Sequence, residues 1–243
     1  MPNPTAAMLT IGDEILSGRT RDANMPHLAA RLTAHGIDLR EARVVADDHD
    51  AIVAALNALR GAYDHVFSSG GIGPTHDDIT ADAVAAAFGV GVDVRADARV
   101  LLEAHYARTG MELNEARLRM ARIPEGAELI DNPISAAPGF TLGNVHVMAG
   151  VPKIFEAMVA SVLHRVLGGA PVLSQTLQVE RGEGEIATPL GRLAEEFPAL
   201  SFGSYPYFQG GVHGAQIVVR GADKGAVDAA MQRLAELFPE AAG

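Results

Sequence analysis

A glycine-rich segment followed at once by two carboxylates is the part of this sequence best suited to chemistry. The segment is Ser68-Ser69-Gly70-Gly71-Ile72-Gly73-Pro74-Thr75-His76-Asp77-Asp78. Glycines let backbone N–H groups approach an anion closely. The residues expected to hold a phosphate group are Ser69, Gly70, Gly71, Gly73 and Thr75. Asp77 and Asp78 would repel an anion unless a divalent cation lay between them, so the segment predicts a metal site formed by these two residues.

Further carboxylates follow the first two strand-like segments. The apolar run Ala6–Ile11 leads into Gly12-Asp13-Glu14, and the run Ile37–Ala46 leads into Asp47-Asp48. Carboxyl ends of parallel strands meet at one edge of a sheet, so we expect these carboxylates near the glycine segment. Each one alone can equally be a turn or helix-cap residue. As a group of oxygen ligands they suit Mg²⁺ or Mn²⁺.

Composition argues against several other kinds of site. There is no cysteine, which excludes disulfides, thiolate nucleophiles and cysteine-bound metals. The 30 acidic and 19 basic residues give a net charge of −11, which disfavours nucleic acid and anionic membranes as partners. The glycine segment has neither a P-loop lysine nor the Gly-x-Ser-x-Gly pattern of serine hydrolases. Without a signal-like start or a long apolar run, we expect a cytoplasmic protein.

Strand-like and helical segments alternate along the first part of the chain. Apolar residues recur at helical spacing in Ala23–His35 and in Ala51–Leu59. Asp64–Ser69 is a third strand-like run before the glycine segment, and a helix over about Ala81–Phe88 follows with Thr80 as its predicted N-cap. This alternation predicts an α/β fold with three layers, α/β/α, around a mostly parallel sheet.

The remainder of the chain is less regular. Asn114–Arg122 has a helical pattern, and Gly143-Asn144 is a dipeptide suited to a hairpin turn. The segment Gly168–Pro171 is the best candidate for a domain boundary. We therefore predict one domain over residues 1–168 and a second over residues 171–243, the latter a small α+β unit in the order β-α-β-β-α.

Five motifs follow one another along the first two thirds of the chain. They are Gly12-Asp13-Glu14-Ile15-Leu16, Asp22-Ala23-Asn24, the run from Gly70 to Thr80, Asn132-Pro133 with Ala137-Pro138-Gly139-Phe140, and Ala149-Gly150-Val151-Pro152. In this order they resemble the N-terminal part of the competence/damage-inducible protein A (CinA) family, a branch of the MoaB/Mog molybdopterin-binding superfamily. The resemblance covers about residues 6–170, and the C-terminal unit resembles the KH-like middle domain of that family.

This resemblance implies a phosphate of a pterin or a nucleotide at the glycine loop. Mog-type members adenylylate molybdopterin with Mg²⁺ and loop carboxylates, whereas CinA-type members are associated with metal-dependent hydrolysis of ADP-ribose to AMP and ribose 5-phosphate. Asp47 and Asp78 match the loop carboxylates and are predicted to be catalytic, with Glu14 as a further candidate for orienting water. Motif residues implied to contact the ligand are Gly12, Asp13, Asn24, Pro138, Gly139 and Gly150.

The sequence also departs from the family pattern. Ser69 stands where a threonine is usual, Ala149 replaces a proline, and Ser135-Ala136 replaces Gly-Thr. The sequence ends at Gly243 without the amidohydrolase domain of long family members, so we expect no deamidase activity. The C-terminal unit has no clear Gly-x-x-Gly loop, which argues against RNA binding there.

Three functions stay open at this level. The first is cleavage of a nucleotide pyrophosphate, with ADP-ribose as the first-choice substrate and Mg²⁺ or Mn²⁺ as cofactor. The second is binding or adenylylation of molybdopterin, and the third is nucleotide binding without turnover. The expected partner is a small phosphorylated ligand (ADP-ribose, AMP or molybdopterin). The resemblance also implies a homo-oligomer, and K⁺ is an additional candidate cation.

Overall fold

The chain divides into two units between Gly169 and Ala170 in the computed structural model, which describes residues 3–239. In the first unit the elements are β1 Thr5–Ile11, α1 Asp13–Leu16, α2 Asn24–His35, β2 Asp38–Val45, α3 His49–Ala62, β3 His65–Ser69, α4 Thr80–Phe88, β4 Val92–Val94, α5 Ala96–Thr109, α6 Glu115–Leu118, a 3₁₀ turn Arg119–Ala121, β5 Arg122–Pro124, β6 Glu128–Ile130, β7 Gly139–Leu142, β8 Val145–Met148 and α7 Pro152–Leu163. In the second they are β9 Leu173–Val179, α8 Glu183–Glu196, β10 Ser201–Gln209, β11 Val212–Gly221 and α9 Lys224–Leu237.

The first unit is built on a sheet with the strand order β2-β1-β3-β8-β7-β6. The four strands β2, β1, β3 and β8 run parallel, and β7 and β6 extend the sheet in antiparallel fashion. Thr10 pairs with Ser69, so β1 and β3 end side by side. Their following loops therefore leave the sheet at the same edge.

Alternation of side chains along β1 produces the layers. Successive residues of a strand point to opposite faces. Ala7 and Leu9 pack in a core with α3, α4 and α5, whereas Ala6 and Met8 pack in a second core with α2 and α7. The predicted three-layer α/β fold with a mostly parallel sheet is confirmed.

The second unit is an antiparallel sheet of order β10-β11-β9 with two helices. Its core brings Ile186 of α8 and Leu234 of α9 against Ile217 and Val219 of β11. The order of elements is β-α-β-β-α, as the sequence predicted, and the unit is α+β in class. Among residues 3–239, no helix is both long enough and apolar enough to span a membrane.

Two local predictions were wrong. The helix predicted over Asn114–Arg122 is limited to α6 and the 3₁₀ turn, because Arg122 begins β5 and pairs with Val94 of β4. Thr80 is not the N-cap of α4: Ile79 takes that position, and Thr80 is buried as the first helical residue. Its hydroxyl instead donates to the carbonyl oxygen of Gly70 at 3.0 Å.

Candidate functional site

A cleft of about 510 Å³ opens where β1, β3 and β8 reach their carboxyl ends. The loops after these strands, the loop after β2 and the segment before β7 form its walls. Predicted site residues that line this cleft are Gly12, Glu14, Asp47, Gly70, Gly71, Gly73, Asp77, Asp78 and Gly150. The cleft thus combines carboxylates from three loops with glycine backbone, which is the composition that the sequence suggested for this sheet edge.

The glycine loop presents consecutive backbone donors that are unpaired among residues 3–239. The N–H of Gly70 is used, since it donates to the carbonyl of Met148 at 3.1 Å. The N–H groups of Gly71, Ile72 and Gly73 have no acceptor in the part of the chain that the structure describes. All three residues line the cleft. Adjacent unpaired amides of this kind form a concave site for an anion such as phosphate.

Backbone conformation and close packing both require glycine in this loop. Gly70 and Gly71 have φ values of +109° and +67°, in the region that other residues rarely adopt. A Cβ atom on Gly70 would lie 2.2 Å from the carbonyl oxygen of Ile11, and one on Gly71 would lie 2.1 Å from Oγ1 of Thr80. The path of the loop is therefore fixed by β1 on one side and by α4 on the other.

Asp78 folds back over the glycine loop. Its Oδ2 accepts hydrogen bonds from the N–H of Thr75 at 2.8 Å and from Oγ1 of Thr75 at 2.5 Å. A Cβ atom on Gly73 would lie 2.6 Å from the same Oδ2, so glycine also makes room for this carboxylate. Oδ1 of Asp78 has no hydrogen-bond partner within residues 3–239. Thr75 was predicted to hold phosphate, but both its N–H and its hydroxyl serve Asp78, and it does not line the cleft.

Asp47 has the electrostatics of a proton acceptor. Partial burial raises the pKa of its carboxyl group, and the negative charges of Asp13, Glu14 and Asp77 raise it further. The N–H of Asp13 opposes this by donating to Oδ2 of Asp47 at 2.9 Å. Asp77 is different: the hydroxyl of Thr75, which lies near both Asp77 and Asp78, and the backbone N–H of Asp77 itself lower the pKa of the Asp77 carboxyl group. The pKa values of two carboxylates in one cleft are thereby shifted in opposite directions.

Asn24 and Ser69 lie behind the cleft rather than on its wall. Ser69 is buried at the end of β3, and its hydroxyl accepts a hydrogen bond of 2.7 Å from Nδ2 of Asn24. The same Nδ2 donates to the carbonyl of Gly150 at 2.7 Å. Both side chains line a separate cavity of about 50 Å³ next to Glu14. Asn24 and Ser69 were predicted to contact the ligand, but in the structure they form hydrogen bonds beneath the cleft.

Three further predicted contacts also lie away from the cleft wall. Gly139 begins β7 and is buried, and a Cβ atom there would lie 2.2 Å from the carbonyl oxygen of Val147, so glycine is needed for strand packing. Pro138 lines a smaller neighbouring cavity. Asp13 is exposed, and its backbone N–H is occupied by Asp47.

Other residues of the cleft were not predicted. Asn132 is 3% exposed and holds the segment before β7, donating through Nδ2 to Oγ of Ser135 and to the carbonyl of Ala137. Ala136 has a φ of +59°, which is the left-handed region. The Asn132-Pro133 dipeptide is typical of a turn and could have indicated this segment. Thr20 also lines the cleft, but no local sequence pattern indicated it.

A divalent cation suits the donors that the cleft offers. The carboxylates on its wall belong to Glu14, Asp47, Asp77 and Asp78, and no lysine or arginine lines it among the described residues. Within residues 3–239, no three His, Asp or Glu side chains converge as a ready-made metal cage. Mg²⁺ is usually held by one or two carboxylates together with ligand phosphate and water, so this donor set fits it.

Two family descriptions match successive parts of the chain. Residues 7–169 match the family "Probable molybdopterin binding domain". Residues 171–242 match the family "FAD synthase, middle domain". The two matches together account for nearly all of the sequence, and they meet where the structure divides into two units.

Similar proteins occur in archaea. A protein of Metallosphaera sedula is 37% identical over 172 residues, covering 69% of this chain and 65% of that protein. A protein of Pyrobaculum calidifontis is 34% identical over 252 residues, covering 97% of this chain and 96% of that protein. Among solved structures, CinA of Thermoplasma acidophilum, described as a protein of unknown function, is 36% identical with a TM-score of 0.61 and covers 67% of this chain and 97% of its own.

Proposed function

The chain belongs to the family of probable molybdopterin binding domains, and we propose that it is a metal-dependent nucleotide pyrophosphatase. The proposed substrate is ADP-ribose, and the products are AMP and ribose 5-phosphate. One observation carries this proposal: the unpaired N–H groups of Gly71, Ile72 and Gly73 line a cleft that also holds four carboxylates. Amides bind a phosphate, and the carboxylates supply ligands for a cation and an acceptor for a proton.

In the proposed reaction, the loop amides hold one phosphate of the ligand, and the carboxylates of Asp77 and Asp78 would hold Mg²⁺ or Mn²⁺. A cation bound there would supply charge neutralisation at the phosphate oxygens and would make water easier to deprotonate. The oxygen of a water molecule forms a bond to one phosphorus atom, and the bond from that phosphorus to the bridging oxygen breaks. The bridging oxygen leaves on the other monophosphate. Asp47 accepts the proton of the attacking water, with Glu14 orienting that water from the same wall.

Binding or adenylylation of molybdopterin is the second candidate. The family description itself favours it, and so does the apolar part of the cleft. Ile72, Pro74 and Val151 line the cleft and would contact a flat ring system. In both candidate functions the loop amides would bind a phosphate of the ligand. The two ligands differ in the group attached to that phosphate, which is a nucleoside in ADP-ribose and a pterin in molybdopterin. Nucleotide binding without turnover is the third candidate and is distinguished by the same experiment.

The test is to incubate the purified protein with ADP-ribose and either Mg²⁺ or Mn²⁺ and to quantify AMP by chromatography. We expect AMP and ribose 5-phosphate in equal amounts, and no product when the cation is chelated. Asp47→Asn and Asp78→Asn should each lower the rate about 100-fold or more, as is typical for loss of acid–base or electrostatic catalysis. Asp50→Asn is the matched control, because Asp50 is an exposed carboxylate of α3 outside the cleft.

Failure to form AMP with several divalent cations would rule out the pyrophosphatase. Thermal stabilisation by ADP-ribose without product would then favour the non-catalytic binding module. Retention of a fluorescent pterin through gentle purification would favour the molybdopterin candidate. Stimulation by K⁺, homo-oligomerisation and a cytoplasmic location are further parts of this proposal. The first is tested by assays in K⁺ and Na⁺ salts, the second by light scattering, and the third by cell fractionation.

A further inference from the structure

Arg119 has a buried hydrogen-bond donor that no acceptor within residues 3–239 satisfies. It lies on the 3₁₀ turn Arg119–Ala121 that follows α6. Its Nε is buried and has no partner among the described residues. Its Nη2 reaches the carbonyl oxygen of Asp78 only at 3.4 Å, which is long for a hydrogen bond. A buried donor left without an acceptor costs stability, and such groups call for an explanation.

Arg122, three residues further on, differs from Arg119 in having a carboxylate partner. Its Nη1 and Nη2 donate to the two carboxylate oxygens of Asp82 at 2.7 and 2.6 Å. Both arginines line the same small cavity. Within residues 3–239, Arg119 is without an equivalent carboxylate partner. Its charge is therefore available to a ligand, whereas the charge of Arg122 is committed to α4.

The cavity beside Arg119 adjoins the cleft described above. It measures about 20 Å³, which is room for one water molecule. Gly71, Gly73 and Asp78 line both this cavity and the cleft. Arg119 thus lines a cavity that shares these three residues with the cleft. The wall of the cleft itself contributes carboxylates and no cationic side chain among the residues described.

We infer that Arg119 binds a second phosphoryl group of the ligand, adjacent to the one held by the amides of Gly71–Gly73. This inference rests on the proposed function, because it requires a phosphorylated ligand in the same cleft. Guanidinium groups bind phosphate oxygens through paired N–H donors. A single phosphate oxygen is about the size of a water molecule, so one oxygen would enter the cavity and accept from the unpaired Nε while the phosphorus stays in the cleft. Two adjacent anion positions select ligands with two linked phosphates over ligands with one. The ligand class is therefore a nucleoside diphosphate or its ester.

The test compares a diphosphate with a monophosphate that has the same nucleoside. Calorimetric titration in Mg²⁺ with α,β-methylene-ADP, which cannot be hydrolysed at its bridge, and with AMP gives the ratio of the two dissociation constants. Arg119→Ala should weaken binding of α,β-methylene-ADP about 10- to 100-fold, the usual effect of losing a charge-assisted hydrogen bond. Binding of AMP should change by less than about 2-fold.

Two variants serve as controls. Arg119→Lys keeps the positive charge but loses the paired N–H donors of the guanidinium. Its affinity for α,β-methylene-ADP should therefore lie between those of wild type and Arg119→Ala. Arg122→Ala removes the neighbouring arginine and should leave the ratio of the two dissociation constants unchanged. Melting temperature is a readout free of ligand. It should fall in Arg122→Ala, whose Asp82 loses its partner, and should be unchanged or raised in Arg119→Ala.

The outcomes separate this inference from the proposed function. If wild type binds neither nucleotide, both fail. If wild type binds both and Arg119→Ala weakens them equally or not at all, the assignment of Arg119 fails while the proposed site stands. A large fall in the melting temperature of Arg119→Ala with no change in the ratio would also overturn it, because the arginine would then be structural.

Discussion

The side-chain amide of Asn24 donates a hydrogen bond of 2.7 Å to the hydroxyl of Ser69. Asn24 is the first residue of α2, and Ser69 is the last residue of β3. The same Nδ2 also donates to the carbonyl of Gly150, two residues after the end of β8. One buried amide therefore joins three segments of the chain at the base of the cleft.

We expect Asn24→Ala to lower the free energy of unfolding by about 1–3 kcal/mol, because it leaves the buried hydroxyl of Ser69 without its donor and also removes the donor to the carbonyl of Gly150. Urea unfolding measures this change. Asn57→Ala is the matched control, since Asn57 is an exposed residue of α3 that accepts a bond from Arg60. That control should change stability by less than about 0.5 kcal/mol. Equal losses in the two variants would contradict a bracing role for Asn24.

Two glycine-to-alanine substitutions should have opposite effects on stability. Gly70→Ala places a Cβ 2.2 Å from the carbonyl of Ile11 at a φ of +109°, so we expect a loss of about 3 kcal/mol or more. Gly61 lies within α3 with open space around its missing Cβ. Gly61→Ala should therefore raise stability by about 0.5–1 kcal/mol.

Thermal unfolding of the two glycine variants beside wild type checks this pair. A Gly70→Ala variant as stable as wild type would show that the loop can leave the path between Ile11 and Thr80. That result would contradict the view that packing against Ile11 and Thr80 fixes the positions of the unpaired amides.

Much of the fold could be predicted from local patterns in the sequence. The apolar run Ala6–Ile11 is almost the whole of β1, and the helix predicted over Ala23–His35 is α2 extended by one residue. These elements bury one face or both, so their hydrophobic period is visible without tertiary information. The pairing of β4 with β5 was missed, because it joins Val94 to Arg122 across α5 and depends on long-range contacts.

The site was predictable in its backbone and less so in its side chains. Glycines and carboxylates after parallel strands point to a shared sheet edge, and Gly71 and Asp47 do line one cleft. Sequence could not show that Ser69 turns away into a buried contact with Asn24. Arg119 escaped notice for a related reason: it was placed within a longer predicted helix, whereas the chain turns there and brings it beside Gly73.

Ala136 is a position where glycine should be accepted. It is the one non-glycine residue with positive φ among residues 3–239, at +59°. Replacing it by glycine relieves about 1–2 kcal/mol of backbone strain and costs about 0.4–1 kcal/mol through the unfolded state. We expect Ala136→Gly to leave stability unchanged or to raise it by up to about 1 kcal/mol. Ala54→Gly, on the exposed side of α3, should lower it by about 1 kcal/mol, and chemical denaturation of both variants decides the matter.

His146 should make the stability of the first unit fall as the pH is lowered. It is 5% exposed in β8, between Oγ1 of Thr141 at 3.0 Å and Nδ1 of His65 at 3.3 Å. Burial lowers the pKa of His146 from 6.5 to about 3, and the charge of His65 contributes to the same direction. Between about pH 6.5 and pH 3, His146 is protonated in the unfolded chain and neutral in the folded chain. The stability due to the neutral ring is complete above pH 6.5 and is lost progressively down to about pH 3.

At pH 5 this difference amounts to roughly 2 kcal/mol relative to pH 7.5. We expect His146→Gln to reduce the pH dependence of the unfolding free energy by about that amount, because glutamine can hydrogen-bond to Thr141 but does not titrate in this range. Urea unfolding at the two pH values measures it, and His164→Gln is the control at an exposed histidine after α7. Burial also lowers the pKa of His65, so part of the pH dependence should persist in His146→Gln. An undiminished pH dependence in His146→Gln would mean that His146 takes up its proton without unfolding.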